Sequence, residues 1–442
     1  MTKLHSLAEY VVHAQFSTER SELSAHILDT VTAWICGQAT PEGEQLGKKL
    51  NEEHPIFRGV LQDDVLNQVI VNCAITRLSE IDDIHLASCI TPGSVIIPTA
   101  LTLCSNLKVD FSLTTFTDAV IAGYDLMTRL GKAIKGTELL YRGIWPTYFC
   151  AAFGTAATSA RILGLSEKET VHALALALNL STGGISRGSE MPFRWFTLGY
   201  AARSGCMASL IAAKGFTGSS QMLEGNWFEQ TYGIEADTAA IVEDLGQDGI
   251  LKRISMKPFC SAKQVIPSIY GFTKLLDQGI SLDDIKEVNL FVPLPFVSMI
   301  KNRPTNRLSS LSSAPYQLAV AAYHPAGLYD ISRNEILNSE EIRSFMDKVH
   351  VIGDSTLLSY YPEKWPTRIE VKTTSHGIAS EMVTDSPGDP EMKLSSEEMK
   401  RKVHSFLDPI LGARQAAEVI ELGRNSVFDK CSLLNLYKTI RR

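Results

Sequence analysis

The run Val288-Asn289-Leu290-Phe291-Val292 decides how this chain divides. Valine and leucine take every second position, with Asn289 and Phe291 between them, and a period of two marks a strand with one buried face. Upstream the texture is different. Leu23, Ile27, Leu28 and Val31 recur at helical spacing, as do Leu66, Val69, Ile70 and Cys73. The Ala-rich stretches 151–160 and 173–180 predict closely packed interior helices, and Ser166 with Glu169 forms a capping box that starts a helix at Glu167. Downstream, Ile369 and Val371 alternate with polar partners, and Ser375-His376-Gly377 predicts a turn into another strand. Ser386-Pro-Gly-Asp-Pro390 is a loop, after which Ser395 and Glu398 restart helix. The fold expected is mainly α. A large all-helical domain is built from both chain ends, residues 1–264 and 394–442, and a smaller α+β domain, residues 265–393, is inserted between them.

Composition narrows the function classes. A chain of 442 residues, 45% hydrophobic and 21% charged, can bury a large core without disulfides or structural metal. Its net charge of −7, from 42 Lys and Arg against 49 Asp and Glu, lacks the basic footprint of a nucleic-acid binder. The eight cysteines are scattered with no C-x-x-C pair, which fits small buried hydrophobes in a reducing cytoplasm. The first residues show no signal-peptide pattern. The uncharged stretch between Arg142 and Arg161 contains Pro146 and Gly154, and reads as a turn and a buried helix rather than a membrane span.

Three places carry residues suited to chemistry. In Glu80-Ile-Asp82-Asp83-Ile-His85, followed by Thr91-Pro92-Gly93, carboxylates and an imidazole stand beside a helix start whose amides can hold an anion. An acidic helix end with capping residues is the plain alternative, and Asp83-x-His85 alone is too sparse for a metal. In Gly183–Arg194, glycines next to Arg187 and Arg194 suit bidentate carboxylate binding. A loop with solvated arginines is the alternative there, and the spacing is not that of a phosphate loop. In Lys257-Pro-Phe-Cys260-Ser261-Ala-Lys263-Gln264, a lysine at the expected domain junction can pair with a carboxylate or exchange a proton, unless the stretch is only a linker.

Taken together, these places resemble the MmgE/PrpD family, which includes 2-methylcitrate dehydratase, cis-aconitate decarboxylase and iminodisuccinate epimerase. The resemblance runs from Asp82-Asp83-Ile-His85 and Thr91–Pro98, through Leu163-Gly-Leu165, Phe193-Arg194 and Leu198–Ala202, to Lys257-Pro-Phe259, Ser312–Tyr316 and Ser386–Pro390. It implies a helical domain with an α+β lid, a homodimer, a small polycarboxylate substrate, and neither metal nor organic cofactor. It also implies that Trp145 stands where the family usually has a histidine, that Thr91 replaces another, and that Arg194 replaces a lysine, while Lys257 is retained. Glu80 takes the place of the first Asp of the acidic stretch, and Ile84 that of its Thr.

The shared step in such a family is removal of an activated proton beside a carboxylate. Asp83, His85, Thr91 and Lys257 are the catalytic candidates, and Glu80, Asp82, Trp145, Arg187, Arg194 and Lys263 the substrate-binding ones. A dehydratase or decarboxylase on a C4–C6 polycarboxylate is the first reading. An epimerase of a dicarboxylate, which needs no leaving-group acid, is the second, and a non-catalytic carboxylate binder the third.

Overall fold

A computed structural model describes residues 1–51, 64–106, 110–181, 183, 193–247, 249–333 and 339–440. The chain forms two compact units, one of Met1–Ile254 with Leu407–Arg442 and one of Ser255–Phe406.

The first unit is mainly helical. Its principal helices are α1 (Lys3–His13), α2 (Arg20–Gln38), α3 (Val65–Leu78), α4 (Gly93–Asn106), α5 (Leu113–Ala133), α6 (Pro146–Leu163), α7 (Glu167–Asn179) and α8 (Phe193–Ala212). α6 shows how local signals set an element: Pro146 occupies its first turn, and Gly164 at φ +66 ends it. It packs between α5 and α8. A Cβ at Gly205 of α8 would stand 2.1 Å from the Ala152 carbonyl oxygen, so only glycine permits this approach. Phe153 and Leu198 are wholly buried, and each such side chain contributes roughly 1.5–3 kcal/mol. The Ser166–Glu169 capping box expected at the start of α7 is formed. Among the described residues no helix is long and apolar enough to cross a membrane.

The second unit holds α9 (Ile266–Asp277), β1 (Ile285–Val292), α10 (Ala314–Tyr323), α11 (Glu340–Met346), β2 (Val349–Gly353), β3 (Thr367–Thr373) and β4 (Ile378–Val383). The sheet order is β2-β1-β3-β4, with β1 and β2 parallel and the other pairs antiparallel. Val288, Leu290 and Val292 are buried, as the alternation requires, and Ile369 and Val371 beside them are buried too. α9 covers β3 and β4. The mainly α architecture with a small α+β part is therefore as expected from the periodicity.

The units divide at other residues than the 264/265 and 393/394 cuts set by the change of period. Residues 256–264 have no strand or helix pattern, yet they are bonded into the α+β unit. Met256 N donates to Gly388 O at 2.9 Å, Cys260 N to Leu328 O at 3.0 Å and Ala262 N to Leu311 O at 2.8 Å. The helix α12 (Ser396–Leu411) is split, because its Phe406 ring packs on Tyr329 at 5.4 Å and only Leu407 onward groups with the helical unit. α13 (Ala413–Asn425) and α14 (Lys430–Ile440) complete that unit.

Candidate active site

α3 ends at Ser79, and Glu80 follows at φ +57, the left-handed region where glycine is usual. Holding a glutamate there costs roughly 1–3 kcal/mol. Its carboxylate turns back onto Arg77, with Oε2 2.8 Å from Nη1, and the same Nη1 lies 2.7 Å from Asp82 Oδ1. All three side chains are buried. Burial works against the charge of Arg77, but Asp82 and Glu80 outweigh it and raise its pKa.

Arg194, in the first turn of α8, stands 3.8 Å from Glu80 Oε1. Its guanidinium lies 4.4 Å from the Trp195 ring centroid and 5.1 Å from that of Trp145, and its Nε is buried with no hydrogen-bond partner among the described residues. Trp145 precedes α6 and stacks on Tyr148 at 5.7 Å and 24°. Burial pushes the Tyr148 phenol up to about 12, with Arg194 and Arg77 pulling the other way, so it is a proton donor at neutral pH. Thr91 joins the same first turn of α6, its amide donating to Thr147 Oγ1 at 3.1 Å. The structure thus gathers Glu80, Asp82, Trp145 and Arg194, with Thr91 adjoining.

Two other candidates of the acidic stretch do different work. Asp83 is a cap: Oδ1 accepts from Gly93 N at 2.8 Å, Oδ2 accepts from Tyr124 Oη at 2.9 Å, and His26 stands 3.8 Å away. Both carboxylate oxygens serve the start of α4 and the α5 face, which removes Asp83 from the proton-abstracting role expected of it. His85 is corrected as well. Its Nδ1 pairs with Ser88 Oγ at 2.8 Å, and its backbone bridges Ile90. Burial, with Lys132 and Arg253 adding to it, lowers its pKa to about 3. Such an imidazole stays neutral and is far too weak a base for work near pH 7.

In the α+β unit, Lys263 is 2% exposed and ion-paired with Asp389, and it also donates to Ser386 Oγ at 3.0 Å. Burial opposes the charge of Asp389, but Lys263, Ser255 and Ser386 hold its carboxyl below the usual range. Lys263 is therefore part of the scaffold rather than the free substrate cation expected. Lys257 is also 2% exposed. Its backbone is set by the same loop, since Gly388 at φ +92 lets Met256 approach where a Cβ would stand 1.8 Å from the Met256 oxygen. Arg187 lies outside the described residues.

Residues 5–235 match the MmgE/PrpD N-terminal domain and residues 266–426 the MmgE/PrpD C-terminal domain. The chain belongs to the MmgE/PrpD family. It is 26% identical over 219 residues to a cis-aconitate decarboxylase-like protein of Aspergillus oryzae, covering 47% of this chain and 44% of that one. It is 27% identical over 163 residues to a cis-aconitate decarboxylase of Aspergillus terreus, covering 36% and 33%. The matches thus span less than half the length of these relatives.

Arg77 and Tyr148 are not among the candidates that the sequence patterns single out. Each carried a usable signal: Arg77 is a charge near the end of an apolar helix three residues before Glu80, and Tyr148 follows Trp145 at helical spacing. His26 and Tyr124, which brace Asp83, had none, because they lie far away in the chain. An open cleft of about 720 Å³ lies elsewhere in the helical unit, lined by His5, His13 and His172 among others. All three imidazoles are already engaged, His5 by Thr2 Oγ1, His13 by Glu167 and His172 by the Gly218 carbonyl, so the Arg194 cluster remains the better chemical site. Among the described residues no three His, Cys, Asp or Glu side chains stand close enough to share a metal ion.

Proposed function

We propose that this protein is a cofactor-independent lyase that removes a proton beside a carboxylate of a small C4–C6 polycarboxylate. The observation that supports it most is Arg194. It is a guanidinium held between tryptophan faces, with one long ion pair to Glu80 and an Nε–H without a partner among the described residues. A planar cation with donor capacity left over suits a substrate carboxylate. Removing the adjacent proton builds negative charge on that carboxylate, and donors already in position stabilise it without reorganising. In this reading Arg194 holds the carboxylate. Tyr148 supplies a hydrogen bond or a proton, the service lost where Trp145 replaces the family's histidine.

The test is incubation with a panel of di- and tricarboxylates in heavy water. A lyase gives new products, whereas deuterium incorporation with inversion alone would make the protein an epimerase. A thermal shift without turnover would make it a binder. Tyr148→Phe should lower kcat by about 10²-fold with little change in KM, since acid–base groups contribute about 10²–10⁴-fold. Unchanged kcat in that variant removes the phenol from the scheme.

A further inference from the structure

In the α+β unit the turn at residues 330–333 is organised around one side chain. Asp330 Oδ1 accepts from Ser332 N and Oγ, each at 2.8 Å, and Oδ2 accepts from Arg333 N at 3.0 Å. Arg333 is thereby held at φ +53, a backbone conformation that side-chain-bearing residues seldom adopt. Its side chain is then carried inside, leaving the residue 1% exposed. Nη2 donates to the Cys260 carbonyl, but Nε and Nη1 have no hydrogen-bond partner among the described residues. The Tyr316 ring lies 5.9 Å from this guanidinium, and its buried hydroxyl has no partner either.

Three donors therefore stand together in an interior without an acceptor. Such groups are nearly always satisfied in native proteins, and each exception calls for a cause. Arginine cannot escape by losing its proton, so a buried guanidinium without a counter-charge is a standing cost to the fold. What the arrangement lacks is an anion. A carboxylate matches it best, with two oxygens for the planar fork and room on their lone pairs for the phenol. Burial raises the Tyr316 pKa, which keeps that hydroxyl a donor. The Cys260 carbonyl that holds Arg333 also accepts from Gln317 Nε2 at 3.4 Å, and it belongs to the same stretch as Lys257.

We propose that Arg333 and Tyr316 form a subsite in the α+β unit that takes a carboxylate. The choice of a carboxylate rests on the function proposed above. Calorimetry with tricarballylate, an unreactive tricarboxylate, tests both ideas separately on the whole protein. The wild type should bind it, Arg333→Met should weaken binding by about 10²-fold, and Tyr316→Phe should weaken it by about tenfold. The ligand-free Arg333→Met protein should also melt higher than wild type, because it loses a buried charge that has no counter-ion. An arginine that merely scaffolds the turn would give the opposite sign. Wild-type affinity in both variants overturns the subsite and leaves the functional reading standing. Should Arg333→Met fail to fold, the scaffold role is the answer and the subsite falls, and unchanged affinity in Tyr316→Phe says the same independently. A wild type that binds no carboxylate overturns both.

Discussion

Asp389 in the α+β unit and Glu80 in the helical unit are both buried carboxylates beside buried cations, and they differ in what is left over. Every oxygen of Asp389 is occupied: Oδ1 by Lys263 and by Ser255 Oγ at 2.6 Å, Oδ2 by Ser386 N at 2.8 Å and Ser386 Oγ at 2.9 Å. Its charges close on themselves, and they pin the Ser386–Pro390 loop beneath the Lys257 stretch. Beside Glu80 the difference lies in Arg194. Arg194 keeps a donor with no acceptor and the Tyr148 phenol stands beside it, while Glu80 itself is held in an unfavourable backbone region. A closed cluster can only hold the fold, whereas one with donors left over can bind something that is not part of the chain.

That contrast can be broken most forcefully at Asp389. Asp389→Ala leaves Lys263 buried without its counter-charge and should cost about 3–5 kcal/mol of stability, read from urea or thermal unfolding. A loss under about 1 kcal/mol would mean that the cluster is not closed as described. Lys257, in the same stretch as Lys263, sharpens the comparison because the sequence marks it as a catalytic candidate. Lys257→Met keeps most of the side-chain volume and should lower kcat by about 10²-fold or more, by analogy with the loss of one oxyanion donor. Wild-type turnover together with a large drop in melting temperature would move Lys257 to the scaffold.

The smallest expected effect concerns His85, the buried imidazole next to the open cluster. Its folded pKa is lowered to about 3, against 6.5 for the free side chain. The unfolded chain therefore binds the proton first as pH falls, and stability is lost between about pH 6.5 and pH 3. One such group contributes a slope of at most about 1.4 kcal/mol per pH unit. His85→Gln should flatten the curve of stability against pH in that window while leaving the pH dependence of activity unchanged. A shifted activity profile would return His85 to the acid–base chemistry.

What the sequence determined by itself was whatever depends on near neighbours along the chain. A period of 3.6 or of two is visible in a window of a few residues, so the helical unit and the strand at Val288–Val292 were legible. The same holds for the box between Ser166 and Glu169, whose partners are one turn apart. The residue types of the candidate site were legible too, since Glu80, Asp82, Trp145 and Arg194 do gather. What only the tertiary structure decided was the state of each charged group. Asp83 and Lys263 are as polar in the sequence as Glu80 and Lys257, but one caps α4 through Gly93 and the other pairs with Asp389, 126 residues away. His85 reads as a base until burial removes its affinity for the proton. Electrostatic energy is set by distance and dielectric in space, and neither is written in the order of the residues.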